Sequence, residues 1–318
     1  EELVQIYAPV SADLGRVEAR LREQVQSEER FVDHIQTYVF EASGKRMRPA
    51  MTLLAARFGE SQRDGASAPV VDLAVAIELI HTATLVHDDV IDESDLRHQR
   101  ATVNVRWGNQ ASVLFGDYLL AQAFRLLARN ASREVISLIA ETTNTICEGE
   151  LVEIGQVNRF EQTEPEYLNI VRKKTAALVG AACQGGAMLA GCPAEWVRAL
   201  TGFGMNFGMA FQMVDDCLDL IGDEEVLGKP LGSDLETGKV TLPIIHRLRQ
   251  METGDRRGLL NALLDGGSLS SRQAAIRRLA EDAVSHGGVE YAFGQGRDYL
   301  RRAEKKLDAL PAGEARDS

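Results

Sequence analysis

Two aspartate-rich stretches hold the residues of this chain best suited to chemistry. The first is Asp88-Asp89-Val90-Ile91-Asp92, and its pattern returns as Asp215-Asp216-Cys217-Leu218-Asp219. On a helix, residues four apart share a face one turn apart, so Asp88 stands over Asp92 and Asp215 over Asp219. Like charges at that spacing destabilise an isolated helix by roughly 0.2–0.5 kcal/mol per pair. Apolar residues precede both, Ala74-Val75-Ala76-Ile77-Glu78-Leu79-Ile80 and Met209-Ala210-Phe211. Each acidic cluster is therefore expected to emerge from a buried helix, where carboxylates need cations. Hard oxygen ligands of this kind suit Mg²⁺, which keeps several waters and is often shared with substrate phosphates. The plainer reading is two acidic helix ends on the surface. Two copies, each ending an apolar helix, favour the metal.

An anionic ligand also needs cations, and these lie close by. Ser43-Gly44-Lys45-Arg46-Met47-Arg48-Pro49 is a basic turn before a helix expected to begin at Pro49, where backbone N–H groups and basic side chains make an anion site. Arg97 and Arg100 follow the first acidic cluster, Lys173-Lys174-Thr175 opens an apolar run, and Lys229 and Lys239 flank the loop after the second cluster. Singly, each reads as solvated surface; together, beside the two acidic motifs, they read as a ligand site. His81 precedes Asp88 by seven residues and shares its face, so its ring could donate to a phosphate oxygen. His87 points elsewhere around the helix and reads as structural. Gln212, one turn before Asp216, could position a ligand or satisfy a buried contact. Gly232 to Lys239 is not a P-loop, because five residues separate its glycines and Val follows the Lys. No nucleophile elbow, HExxH or dinucleotide fingerprint is present.

These residues must be placed by helices. The 318 residues are 45% hydrophobic and 26% charged, an ordinary globular balance. The spacing predicts helices over about 11–35, 49–58, 69–94, 109–129, 131–154, 165–190, 194–221, 240–250, 256–264, 269–285 and 288–308. Gly and Pro clusters part them, no composition shift marks a linker, and a single all-α domain over 1–318 is expected. A net charge of −12 argues against a nucleic-acid surface. Four cysteines without CxxC spacing read as buried free thiols in a reducing cytoplasm. Apolar runs are broken before eighteen residues, so no transmembrane segment is expected. No signal peptide is visible at Glu1, and the absent initiator Met suggests trimmed ends.

In order and spacing, GKRMRP, HTATLVHDDVIDESDLR, KKTAAL and FQMVDDCLDLIGD resemble the trans-type isoprenyl diphosphate synthases, most closely long-chain octaprenyl-type members. The resemblance runs from about Gly44 to Pro243. It implies a helical bundle of the isoprenoid synthase type around a central cavity, typically homodimeric through helices such as 109–129. It implies a Mg²⁺-dependent prenyltransferase that adds isopentenyl diphosphate to an allylic diphosphate. Asp88, Asp92 and Asp215 match metal ligands. Arg97, Lys174, Thr175, Gln212 and Lys229 match positions that bind the allylic diphosphate, and Lys45, Arg48 and His81 those that bind isopentenyl diphosphate. Diphosphate departure leaves an allylic cation, so the metals and Lys174 must offset charge developing on the leaving group, and water must be excluded.

Two departures stand out. The family's Arg-Arg-Gly reads Arg97-His98-Gln99 here, which puts a pH-dependent side chain in the isopentenyl diphosphate site and leaves Arg100 as the substitute. The family also continues past Pro311 into a last helix and a basic tail, whereas this chain stops at Ser318. Ala83 and Thr84, about one turn below Asp88, are small where short-chain members carry bulky aromatics. A deep tunnel and a long product, around C30 to C45, are expected, with Phe115 or Phe124 as a later floor. The rivals are a short-chain farnesyl or geranylgeranyl synthase, a terpene cyclase, a non-catalytic regulatory subunit and an acidic scaffold with no ligand. A cyclase has no use for Lys45, Arg48 and His81, and a regulatory subunit tends to lose its aspartates, all six of which are present.

Overall fold

The computed structural model describes residues 5–41, 44–62, 65–97, 99–223, 231–264 and 269–318. Along the chain run α1 (Ser11–Gln24), α2 (Arg30–Glu41), α3 (Met47–Ala56), α4 (Ala68–Ile91), α5 (Val103–Trp107), α6 (Asn109–Asn130) and α7 (Arg133–Ile154). Then come α8 (Glu164–Val171), a π turn (Arg172–Ala176), α9 (Ala177–Leu189), α10 (Ala194–Ile221) and α11 (Ser233–Glu236). The chain closes with α12 (Leu242–Gln250), α13 (Thr253–Leu264), α14 (Leu269–Ser285), α15 (Gly288–Leu307) and α16 (Glu314–Asp317). Among the described residues the only strands are β1 (Leu96–Arg97) and β2 (Arg100–Ala101), paired antiparallel with Leu96 opposite Ala101. The all-α expectation holds.

The chain divides into two compact units. Unit 1 is Glu1–Asn144, Ala177–Met205 and Arg302–Ser318; unit 2 is Thr145–Ala176 and Asn206–Arg301. In unit 1, α4 is the core helix. From Val70 to Ile80 every residue is buried, because α1, α3, α6 and α9 pack around it. Such a helix is apolar on all sides rather than amphipathic. From His81 on, only Ala83, Val86 and Asp89 stay buried, so the last three turns open one face. In unit 2 the core gathers Met213, Leu235, Leu242, Leu279, Ala283 and Ala292 from α10, α11, α12, α14 and α15.

Several sequence-based boundaries need correction. The helix expected over 11–35 is two, because Ser27 Oγ accepts the Glu29 N–H at 3.2 Å and offers the backbone a turn in place of the next helical bond. The helix expected over 165–190 is interrupted by the π turn at Lys173-Lys174-Thr175. The helix expected at Pro49 begins at Met47, which places Pro49 in the first turn, where it costs no hydrogen bond. Cys183 and Cys217 are buried free thiols, but Cys147 is exposed and Cys192 half-buried. Cys147 shares an open stripe of α7 with Leu151 and Ile154, so its apolar surroundings in sequence are surface in space. By length and composition α4 and α6 could each cross a bilayer. The burial of α4 inside unit 1 accounts for its apolar character without one.

Candidate active site

Six aspartates form the two motifs, and burial sorts them. In unit 1, Asp88 and Asp92 are half-buried while Asp89 is 3% exposed. Asp89 Oδ1 accepts the Arg97 Nε–H at 2.8 Å. Burial pushes the Asp89 carboxyl above its ordinary value, outweighing the Arg97 charge that pulls it down. The hairpin after α4 is tied to the same turn. Ser94 N–H donates to the Asp89 carbonyl at 2.9 Å, and Thr102 Oγ1 donates to the Ser94 carbonyl at 2.7 Å. Arg97 is thus held on β1 by the one acid of its motif that is fully buried.

The basic turn before α3 divides its labour. Arg46 has φ of +49°, in the left-handed region. Its guanidinium turns inward between Glu18 at 2.5 Å and Glu78 at 2.7 Å. Lys45 stays exposed, its carbonyl accepting the Tyr7 hydroxyl at 3.0 Å. Arg48 is driven inward, and its Nε is buried without a hydrogen-bond partner. A buried donor left unpaired is costly, so this atom marks a place for an acceptor such as a phosphate oxygen. His81 is pushed well below its ordinary pKa, first by burial and then by the charges of Arg48, Arg97 and Arg46, so its ring is neutral and retains one N–H to donate. Arg100 is engaged elsewhere. It lies 4.2 Å over the Tyr38 ring and 3.4 Å from Glu41. His87 is structural, as its direction around α4 implied: it packs onto Gly116 of α6, where a Cβ would fall 2.1 Å from Nε2, and lies 3.1 Å from the Val113 carbonyl oxygen.

Unit 2 holds a cavity of about 120 Å³ lined by Glu153, Lys174, Thr175, Gln212, Asp215 and Lys239, among others. Its polar wall is one connected network. Thr175 Oγ1 donates to Gln212 Oε1 at 2.8 Å, Gln212 Nε2 donates to Asp216 Oδ1 at 2.8 Å, and the Tyr167 hydroxyl donates to Asp216 Oδ2 at 2.6 Å. Burial, with Asp234 close by, raises the Asp216 carboxyl to about 8, and the same burial lifts Tyr167 well above its ordinary value. Asp219, 2% exposed, accepts from Ser233 Oγ at 2.7 Å and the Asp234 N–H at 3.2 Å, so it caps α11. Of this motif's three aspartates only Asp215 is exposed.

Lys174 stands on the π turn, a feature common at functional sites. Its Nζ lies 2.6 Å from both Glu150 Oε2 and Glu153 Oε2, and Lys173 pairs with Glu148 at 2.7 Å. The turn sits this close to α7 because position 149 is glycine. A Cβ there would come 2.8 Å from Lys173 Cβ and 3.0 Å from Lys174 N. The sequence reading passed over Glu150 and Glu153. Their spacing of three on one helix, facing a Lys-Lys pair, was the available signal.

The structure thus gathers Lys174, Thr175, Gln212 and Asp215 around one cavity in unit 2, and Arg48, His81 and Arg97 near one another in unit 1. His98 and Lys229 lie outside the described residues. Asp88, Asp92 and Asp215, the least buried of the six, carry hard oxygen donors. Among the described residues no three His, Cys, Asp or Glu side chains form a ready-made cage. That donor set fits Mg²⁺, which completes its shell with waters and substrate oxygens.

Comparison with known proteins agrees with this chemistry. The Polyprenyl synthetase family model matches residues 29–281. The chain is 39% identical over 315 residues to heptaprenyl diphosphate synthase component 2 of Geobacillus stearothermophilus, covering 99% of this chain and 95% of that protein. It is 35% identical over 286 residues to the short chain isoprenyl diphosphate synthase of Methanothermobacter thermautotrophicus, covering 88% and 85%. Among solved structures, the polyprenyl synthase from Caulobacter crescentus, complexed with calcium and isoprenyl diphosphate, superposes with a TM-score of 0.91 at 32% identity, covering 99% and 94% of the two chains.

Proposed function

Because the chain belongs to the polyprenyl synthetase family, whose members are all-α prenyltransferases acting on isoprenyl diphosphates, we propose that it condenses isopentenyl diphosphate head-to-tail onto an allylic diphosphate to give an all-trans product of about C30 to C45. The observation that carries this reading is the sorting of the six aspartates. Asp89, Asp216 and Asp219 are at most 4% exposed, while Asp88 and Asp92 are half-buried and Asp215 is exposed.

In this reading Asp88 and Asp92 in unit 1, and Asp215 in unit 2, hold Mg²⁺. The metal supplies positive charge against the diphosphate as its C–O bond breaks. Lys174, Thr175 and Gln212, with Arg97 and Lys229, hold the allylic diphosphate. Lys174 is the group that answers the growing negative charge, and the Tyr167–Asp216–Gln212–Thr175 chain keeps that wall from rearranging as charge develops. Arg48, Lys45 and neutral His81 hold the diphosphate of isopentenyl diphosphate, Arg48 through a buried Nε already placed for an acceptor. The double bond of the second substrate attacks the allylic carbon, and the proton then lost passes to the released diphosphate. No side-chain nucleophile is needed. His98 makes isopentenyl diphosphate binding weaken as pH rises through about 6.5, the ordinary imidazole value. A His98→Arg variant, with its KM compared to the parent's from pH 6 to 8, tests that dependence.

The long-chain assignment rests on Thr84, small and half-buried where a shorter tunnel needs bulk; Ala83, expected beside it, is fully buried on the packed face. The location is the cytoplasm and the assembly a homodimer through α6, whose Val113 and Leu114 are exposed apolar side chains. A second reading draws on the Geobacillus relative's name, component 2: the chain is one subunit of a synthase that needs a second component. The test is a product assay on the purified protein with Mg²⁺, isopentenyl diphosphate and, in turn, each of three allylic primers. A ladder ending at one long chain supports the first reading and sizes the tunnel. No product from the chain alone, with activity recovered on adding a second subunit, supports the other.

A further inference from the structure

Among the acidic residues lining the cavity, Glu153 is the one that bridges two of its lysines. It lies on α7 three residues after Glu150. Its Oε2 is 2.6 Å from Lys174 Nζ and 3.8 Å from Lys239 Nζ, so a single carboxylate bridges two ammonium groups. Glu150 reaches Lys174 at 2.6 Å. Glu153, Lys174 and Lys239 line the same cavity as Thr175 and Asp215, and their side chains are 18% to 21% exposed. Charges buried to that degree are screened much less than those on a surface. A single carboxylate oxygen between two ammonium groups presents what one anionic diphosphate oxygen would present there.

We propose that Glu153 is an internal stand-in for the allylic diphosphate. It occupies Lys174 and Lys239 while the pocket holds no substrate, gives them up as the diphosphate binds, and retakes them as the released diphosphate leaves. The inference rests on the reading of this cavity as the allylic diphosphate site. Glu153 is a positioning residue, acting through the two lysines and not on the reacting atoms. Glu150 stays with Lys174 as its anchor. If Glu153 merely held Lys174 in place, removing its charge would weaken anion binding; a stand-in predicts the reverse.

The experiment is calorimetric titration of the full chain with inorganic diphosphate in Mg²⁺ buffer, for the parent, Glu153→Gln, Glu153→Ala and Lys174→Gln, with melting temperatures in the same buffer. Both Glu153 variants should bind diphosphate roughly tenfold more tightly, the size of one charge-assisted hydrogen bond no longer competing. In turnover, the KM for the allylic substrate and the inhibition constant of diphosphate should fall together, with kcat reduced by slower release. If the folded Glu153 variants bind no tighter than the parent while Lys174→Gln still weakens binding, the stand-in is wrong and the pocket reading survives. If Lys174→Gln binds as the parent does, the pocket is not the diphosphate site and both fall.

Discussion

Neighbouring aspartates in one motif do different work, and accessibility divides them. Asp89 and Asp216 are immobilised by Arg97 and by Tyr167 with Gln212, so their oxygens are committed to the fold. Beside them Asp88 is half-buried and Asp215 exposed. In the proposed reaction Lys174 is the charge that meets the leaving diphosphate, and Lys174→Gln should then lower kcat roughly 10²–10³-fold, the range for removing one donor to a developing anion; steady-state assay with saturating metal measures it. A loss under tenfold would remove Lys174 from that role. His81 gives a pH prediction. Burial and the facing charges of Arg46, Arg48 and Arg97 depress its folded pKa below the 6.5 of the unfolded chain. Below pH 6.5 the unfolded state then binds a proton that the folded state refuses, so stability falls as pH falls. The melting temperature should drop between pH 6.5 and 5, and His81→Gln should drop less. Parallel curves for the two proteins would show that His81 titrates normally.

Among the elements, the π turn and α4 set the site. One extra residue in the turn at Lys173-Lys174-Thr175 brings both lysines against the acids of α7, and glycine at 149 permits the approach. Gly149→Ala should force the turn off α7, lowering the melting temperature by overpacking worth about 1–3 kcal/mol and raising the KM for the allylic substrate more than that for isopentenyl diphosphate. Equal changes in both KM values would mean that the turn positions neither. On α4, Thr84 lies four residues before Asp88 and is half-buried, whereas Ala83 is fully buried with Val86 on the packed face. Each helical turn is about 5.4 Å, on the order of one isoprene unit. Thr84→Phe should therefore shorten the product by at least one unit, read by sizing dephosphorylated chains. Ala83→Phe should mainly lower the melting temperature, because Phe has no space there. An unchanged product from folded Thr84→Phe would place the tunnel floor elsewhere.

At the level of the whole molecule, α6 carries a surface that a lone chain leaves wet. Leu114 is 68% and Val113 42% exposed on a helix whose other side packs on α4. A contiguous exposed apolar patch is what an interaction site requires, and these two side chains are the part of one that the proposed homodimer would cover. In the homodimer reading, sedimentation should give a dimer for the parent and a monomer for Leu114→Asp. A monomeric parent would transfer that surface to a different subunit. The net charge of −12 also has a place at this scale. In the proposed reaction two anionic substrates approach an acidic protein, so their binding would depend on local cations such as Arg48 and Arg97, and not on the field of the whole surface.

Most of the helices were legible in the sequence because periodic burial is written in residue order; α10 and α14 fall at 194–221 and 269–285, as the spacing predicts. The motifs and the oxygen-rich chemistry were legible for the same reason, since i and i+4 positions fix a face locally. The break at Ser27, the π turn and the strand pair at 96–101 were not, because a hydrogen bond to a side chain or a tight approach to another helix decides them. The sequence by itself determined an all-α chain with two acidic helix ends and nearby cations. Only the tertiary structure decided which aspartates stay open, why Arg48 and not Arg46 keeps a buried donor unpaired, and that Glu150 and Glu153 hold Lys174. Burial and charge pairing depend on which helices meet, and residues a hundred positions apart, such as Asp89 and Asp216, acquire their roles only from the neighbours the fold brings to each.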